Sequence, residues 1–297
     1  FGTTDTGDDV TVPAGSSRFG GDNVALVTPL ATLSGNFSVS TSSDGTSIAA
    51  TSVSATVGTT AAGVRIENAK LDVELYSAGG YALYASGSTT VLGMPDLSFS
   101  GDLFAQKNTT ATEKTLKFGT DDTSDDVTVP AGSSRFGGDN VALITPLATL
   151  SGNFSVSTST DGTSIAATNV SATVGTSAAG VQIDNAKLDV ELYSAGGYAL
   201  YASGSTTVLG MPDLSFSGDL FAQKNTTTTN KTLTFGTTDT ADDVTVPAGS
   251  SRFGGDNVSL VTPLATLSGN FSVSTSSDGT SIAATNVSAT VGTSAAG

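Results

Sequence analysis

Apolar and polar residues alternate along most of this chain with the two-residue period of a β-strand. Leu33, Gly35, Phe37 and Val39 form one row, and Leu97, Phe99, Gly101, Leu103 and Ala105 another. Val64 and Ile66 begin a third row, which Ala69, Leu71, Val73 and Leu75 continue one residue out of phase. That slip at Glu67-Asn68 predicts a β-bulge. Ile48 and Ala50, followed by Val53, Ala55 and Val57, make a fourth row with a similar slip. Further strands are expected at 81–92, 115–119, 9–13 and 23–28. No stretch has the 3.6-residue period of a helix, so almost no helix is expected.

Turn residues separate these rows. Ser43-Asp44-Gly45 and Ala78-Gly79-Gly80 are hairpin signals, because glycine accepts positive φ. Gly93-Met94-Pro95-Asp96 and Pro13-Ala14-Gly15 read as turns. Gly20-Gly21-Asp22-Asn23 reads as a tight polar connection, and Asn108 to Lys114 as a longer polar link. Connections this short favour antiparallel neighbours. About eight strands are expected per copy of the repeat described next, many of them roughly 35–45 Å long.

The pattern recurs. Phe1-Gly2-Thr3 returns at Phe118 and again at Phe235, a period of 117 residues. Residues 1–117 and 118–234 differ only at positions 4, 7, 27, 43, 52, 60, 65, 67, 111, 113 and 117 of the first copy. A partial third copy spans 235–297. The expected domains are therefore 1–117, 118–234 and 235–297, all-β and mainly antiparallel, arrayed along one axis. A β-solenoid is the architectural alternative. Because the chain starts with Phe1 and stops within a repeat, it reads as a window on a longer protein. Nearly identical copies supply length, valency or surface more readily than a unique active site.

Composition narrows the chemistry. The chain has no Cys, His or Trp. Disulfides and thiolate or imidazole metal sites are excluded, and a serine or cysteine triad would lack its base. Net charge is −16, from 27 acids against 11 Lys and Arg, which argues against nucleic acid as a partner. No apolar run approaches the roughly 18–20 residues of a membrane helix, so no membrane insertion is expected of this segment.

Several segments together resemble the tandem β-repeat arrays of giant bacterial exported proteins, described as surface or adhesin-like. These are VTVPAGSSRFGGDNVALVTP at 10–29, SGNFSVST at 34–41, IAATSVSATVG at 48–58 and YALYASGSTTVLGMPDLSFSGDLFAQKNTT at 81–110. The resemblance implies an extracellular or cell-surface, non-enzymatic, structural or adhesive role, and it carries no active-site residues. The expectation is a fibre, sheath or matrix protein that self-associates through its repeats. The alternative is the spacer stalk of a cell-surface adhesin with an unknown surface ligand. A repeat-borne carbohydrate hydrolase is the remaining class.

One cluster could take a cation. Asp5, Asp8 and Asp9 correspond to Asp121, Asp122, Asp125 and Asp126 in the second copy, and to Asp239, Asp242 and Asp243 in the third. Clustered carboxylates can hold Ca²⁺, though the spacing is not that of an EF-hand and a solvated acidic turn is the plainer reading. Neighbouring Asp residues also raise glycosidase chemistry, but adjacent strand positions point to opposite faces. No catalytic residue or cofactor is assigned, calcium being the one candidate. Arg18, Arg135 and Arg252 are expected to pair with a nearby acid, or with a neighbouring chain. Tyr76, Tyr81 and Tyr84 are expected to pack at the Ala-Gly-Gly hairpin. Asn-X-Ser/Thr sequons such as those at Asn36, Asn108 and Asn225 are read as accidents of composition.

Overall fold

The structure is a computed structural model that describes residues 14–29, 31–59, 61–94, 96–119, 123–211, 213–237 and 240–292. It is all-β, as the alternation predicts, with no α-helix among the described residues. The first series of long strands is β1 (Ser17–Val27), β2 (Ala31–Ser42), β3 (Gly45–Thr59), β4 (Ala62–Tyr76), β5 (Tyr81–Leu92) and β6 (Ser98–Asn108). A short hairpin follows, β7 (Lys114–Leu116) with β8 (Val127–Val129). The series then repeats 117 residues on as β9 (Ser134–Ile144), β10 (Ala148–Thr158), β11 (Gly162–Thr176), β12 (Ala179–Tyr193), β13 (Tyr198–Leu209) and β14 (Ser215–Asn225). Its hairpin is β15 (Lys231–Leu233) with β16 (Val244–Val246). β17 (Ser251–Thr262), β18 (Ala265–Ser276) and β19 (Gly279–Val291) begin a third series.

The long strands form one 15-stranded sheet in sequence order, with each hairpin set apart as its own two-stranded sheet. Neighbours pair antiparallel, for example β10 with β9 and β11. That pairing excludes the solenoid alternative, because a solenoid stacks parallel coils. β14 pairs directly with β17, so the second series passes into the third through ordinary sheet hydrogen bonds. The chain divides into two compact units. The first holds β1–β3, the hairpin β7–β8, and β4 from Gly63, β5 to Ser88 and β6 from Phe104; the second holds the intervening 60–62 and 89–103 and everything from Ser134.

Both phase slips are β-bulges. In the second copy the β12–β13 register jumps between Asp184 and Lys187, where Asn185 has φ 51°. The β11–β12 register jumps between Ala167 and Val170, where Asn169 has φ 53°. Asn68 and Ser52 take the same left-handed conformation in the first copy, at φ 53° and 51°. The expected connection at Gly20–Asn23 is instead a bulge within β1. Gly20 and Gly21 pair with Ser38 and Phe37, and the register shifts before Val24. Asn23, at φ 53°, donates its amide to Asn36 Oδ1 at 2.9 Å. The polar Gly-Gly-Asp-Asn run is a bulge signal here because the chain does not reverse. The expected strand at 115–119 ends at Leu116, since Phe118 and Gly119 both have positive φ. The strand expected at 9–13 lies outside the described residues, but its counterpart in the second copy is β8.

The short hairpins determine which face is covered. Each hairpin packs on the polar face of its sheet. Leu116 and Val129 bury Ala82 between them, with Tyr76 and Tyr84 alongside; Leu233, Val246, Ala199, Tyr193 and Tyr201 repeat this in the second unit. The aliphatic rows lie on the opposite face, where Leu75 is 44% exposed and Val174 64%. No helix is long and apolar enough to cross a membrane, which does not bear on strands.

Two stability outcomes follow. Ser52 becomes Asn169 and Asn286 in the other copies, and Asn tolerates the left-handed region better than Ser. Ser52→Asn is expected to raise the urea midpoint, with a gain of about a few tenths of a kcal/mol. Gly162→Ala would push a Cβ into the Leu192 carbonyl, whereas Gly132 has open space around it. Gly162→Ala is therefore expected to cost about 2–3 kcal/mol and Gly132→Ala about 1–2 kcal/mol, both read from denaturant unfolding.

Candidate buried acid site beneath the hairpin

β4 presents Lys70, Asp72, Glu74 and Tyr76 on one face, because alternate residues of a strand share a face. The hairpin closes over that row. Asp72 is fully buried. Its Oδ2 accepts the backbone N–H of Lys117 at 3.0 Å and of Phe118 at 2.7 Å. Its Oδ1 is buried with no hydrogen-bond partner. Asp189 repeats the arrangement, taking the N–H of Phe235 at 2.8 Å and leaving its own Oδ1 unpartnered. These two N–H groups belong to the segment just past β7, so the carboxylate anchors the hairpin to the sheet.

The residue it holds is unusual. Phe118 has φ 52° and Phe235 φ 53°, a conformation that costs a bulky side chain of order 1–3 kcal/mol. The surroundings over-determine it. The Phe118 ring meets Tyr84 edge-on at 5.9 Å, and Lys70 Nζ lies 4.4 Å from its centroid. Tyr201, Phe235 and Lys187 reproduce both contacts. Phe118 and Phe235, which open the signature that marks the repeat in the sequence, are therefore structural latches.

Burial raises the Asp72 carboxyl above its ordinary pKa, against the lowering effect of the Phe118 and Lys117 amides. Glu74 is also raised, by burial first and by the Asp72 charge, with a Ser47 hydrogen bond opposing. Tyr76 is raised by burial and by both acids. Asp189, Glu191 and Tyr193 follow the same order of causes, with Ser164 in the place of Ser47.

A second buried polar group organises the link before the hairpin. Asn108 is 1% exposed. Its Nδ2 donates to the carbonyls of Thr112 (2.8 Å) and Val129 (3.0 Å), and its Oδ1 accepts both the amide and the hydroxyl of Thr110. Asn225 does the same with Thr229, Val246 and Thr227. The sequons at Asn108 and Asn225 are thus internal caps with no exposed amide to modify.

The candidate residues named from sequence fall as follows. Asp5, Asp8, Asp9, Asp121, Asp122 and Asp239 lie outside the described residues. Asp125 closes a 3-10 turn, Thr123–Asp125, and pairs with Lys70 at 3.4 Å. Asp242 pairs with Lys187 at 3.3 Å. Asp126 and Asp243 follow them in sequence, and no three acids gather into a metal-binding group among the described residues. Arg18 donates to the Gly119 carbonyl at 3.3 Å, and Arg252 lies 4.6 Å above the Phe221 ring; neither contact is the acid expected. Tyr76 and Tyr84 pack beneath the β7–β8 hairpin rather than at the Ala-Gly-Gly turn, and Tyr81 lies outside that cluster. Asp72 and Asn108 carried no signal in the sequence beyond an acid between apolar neighbours and an Asn before threonines.

A small cleft opens beside the latch in each unit, about 150 Å³ near Arg18, Asn36, Thr51 and Gly119, and about 100 Å³ near Arg135, Asn153, Thr168 and Gly236. Neither contains the buried acid. The Asp72 and Asp189 carboxylates are bonded to the chain's own backbone. No protein-family model, no curated protein and no solved structure matches this chain.

The raised carboxyls set a direction for pH. The folded protein keeps protons that the unfolded chain has already released, so folding is favoured most below the ordinary carboxyl range. That part of the stability is lost as pH rises through the raised values. Urea midpoints are expected to fall from mildly acidic to neutral buffer, and to fall less in the Asp72→Asn, Asp189→Asn double variant. Asp72→Leu leaves the Lys117 and Phe118 amides without their acceptor and is expected to cost about 1–3 kcal/mol in the same measurement.

Proposed function

We propose that this chain is a non-catalytic, extracellular structural protein whose repeats build a fibre, sheath or matrix. The observation that carries this reading is the β14–β17 junction. The last long strand of one series hydrogen-bonds to the first of the next, from Ser215↔Val261 to Lys224↔Ser251. A further copy adds to the sheet by the bonds that build each copy, which is how a repeat protein gains length.

The conserved chemistry within each copy supports the same reading. The copies differ at few positions, and the buried Asp, Asn and Phe of each are committed to the chain's own backbone. An acidic, Ser- and Thr-rich polar surface keeps such a polymer soluble.

Negative-stain electron microscopy of the purified protein tests it. The expected result is extended particles with a repeat along their length, unchanged by a calcium chelator. Isolated rods ending in a globular head would transfer the reading to an adhesin stalk. Compact particles with no axial order would overturn it.

A further inference from the structure

Strand alternation gives the second unit two chemically distinct faces. Register pairs share a face, so one row runs Phe136, Val156, Ile165, Val190, Leu200 across β9 to β13. The next runs Gly138, Phe154, Ala167, Leu188, Ala202, Ala222. Beyond the bulges the same face continues with Leu150, Ala172, Ile183 and Thr206, then Ala148, Val174, Val181 and Val208. Lys224, paired with Leu200, is the charged residue at its border, and its ammonium lies over the Tyr198 ring. The opposite face carries Arg135, Lys187, Asp189, Glu191 and Asp219, and it is the one the hairpin covers.

A sheet with one apolar face is stable only when that face is buried. No described residue of the second unit is packed over it: Phe136 is 59% exposed and Val174 64%. We propose that this face docks against the same face of a second copy of the chain, making a two-layered sheet between molecules. The inference rests on the structural reading above and names the surface that would join its chains.

Three observations favour a second copy. The rows carry no charge short of their border, so an occupant must itself be apolar and broad, and this chain presents such a surface in every repeat. Six strands about 4.8 Å apart with about ten residues each cover about 900 Å², comparable with the ~800 Å² per partner of a stable interface. The rows are aliphatic with small residues between, Gly138, Ala167, Ala202 and Ala222 among Phe, Leu and Val, which allows two sheets to approach to about 10 Å. A lipid surface fits less well. Membrane strands carry Tyr and Trp girdles at both borders, whereas the chain has no Trp, Tyr193 and Tyr201 sit under the hairpin on the polar face, and Tyr198 is the one tyrosine of this unit on the apolar face, at a single border.

Sedimentation velocity over a wide concentration range tests the proposal on the full chain. Wild type is expected to associate. Val156→Lys with Val174→Lys, on the apolar face and not paired with each other, is expected to weaken association tenfold or more. Thr149→Lys with Thr207→Lys, exposed on the polar face, is expected to leave it unchanged. Circular dichroism and melting check that both variants fold. The chain has no cysteine, so a solvent-sensitive fluorophore on Val174→Cys reads the face directly and is expected to shift blue on association, while one on Thr207→Cys stays put. Equal association of both lysine variants with an unshifted Val174→Cys label would overturn the proposal and leave the structural reading in place, assembled through strand edges. A monomer that floats with phosphatidylcholine–phosphatidylglycerol vesicles would overturn it in favour of a membrane surface. A monomer that does neither would overturn it outright.

Discussion

One carboxylate oxygen per repeat decides how this sheet is covered. Asp72 Oδ2 takes the amides of Lys117 and Phe118, residues 45 and 46 positions away, and thereby ties the short hairpin to the polar face of β4. A three-residue hairpin pair has too little surface to hold itself in place. Anchored, it buries Leu116 and Val129 completely and closes over Ala82 and two tyrosines. The core of each repeat is thus a small apolar cap on a polar sheet face, and the larger aliphatic face is left open.

That arrangement sets opposing costs against each other. A desolvated carboxylate with one unpartnered oxygen is unfavourable, and so is a phenylalanine at positive φ. Both are offset locally by charge-assisted backbone bonds, the Tyr84–Phe118 edge contact and the lysine above the ring. The same solution recurs at Asp189, Phe235 and Lys187, in a copy where Lys117 has become Thr234. The bond to the carboxylate uses the backbone amide at that position, so it survives the change of side chain.

The bulges act in the same manner along the strands. Asn23, Asn68, Asn140, Asn169, Asn185 and Asn257 all take left-handed φ within the sheet. Each inserts one residue and returns the following apolar residues to their original face. Without the slip at Asn185, Ile183 and Val181 would fall on the polar face with Lys187 and Asp189. The bulges therefore preserve a single apolar face across strands too long to keep one by strict alternation.

The strands, their antiparallel order and the slips near Glu67-Asn68 and Val53 were legible in the sequence, because period-two alternation and short glycine turns are local properties. The repeat was legible for a simpler reason, near-identity at 117 residues. Gly20-Gly21 misled because a bulge and a turn use the same residue types, and only pairing with Phe37 and Ser38 distinguishes them. Local pattern also identified two faces without telling which would be buried. That depended on where a hairpin some forty residues on would dock, and on Asp72, an ordinary acid in the sequence until the Phe118 backbone meets it. Side-chain periodicity determined the strands; contacts between distant segments decided which face they hide.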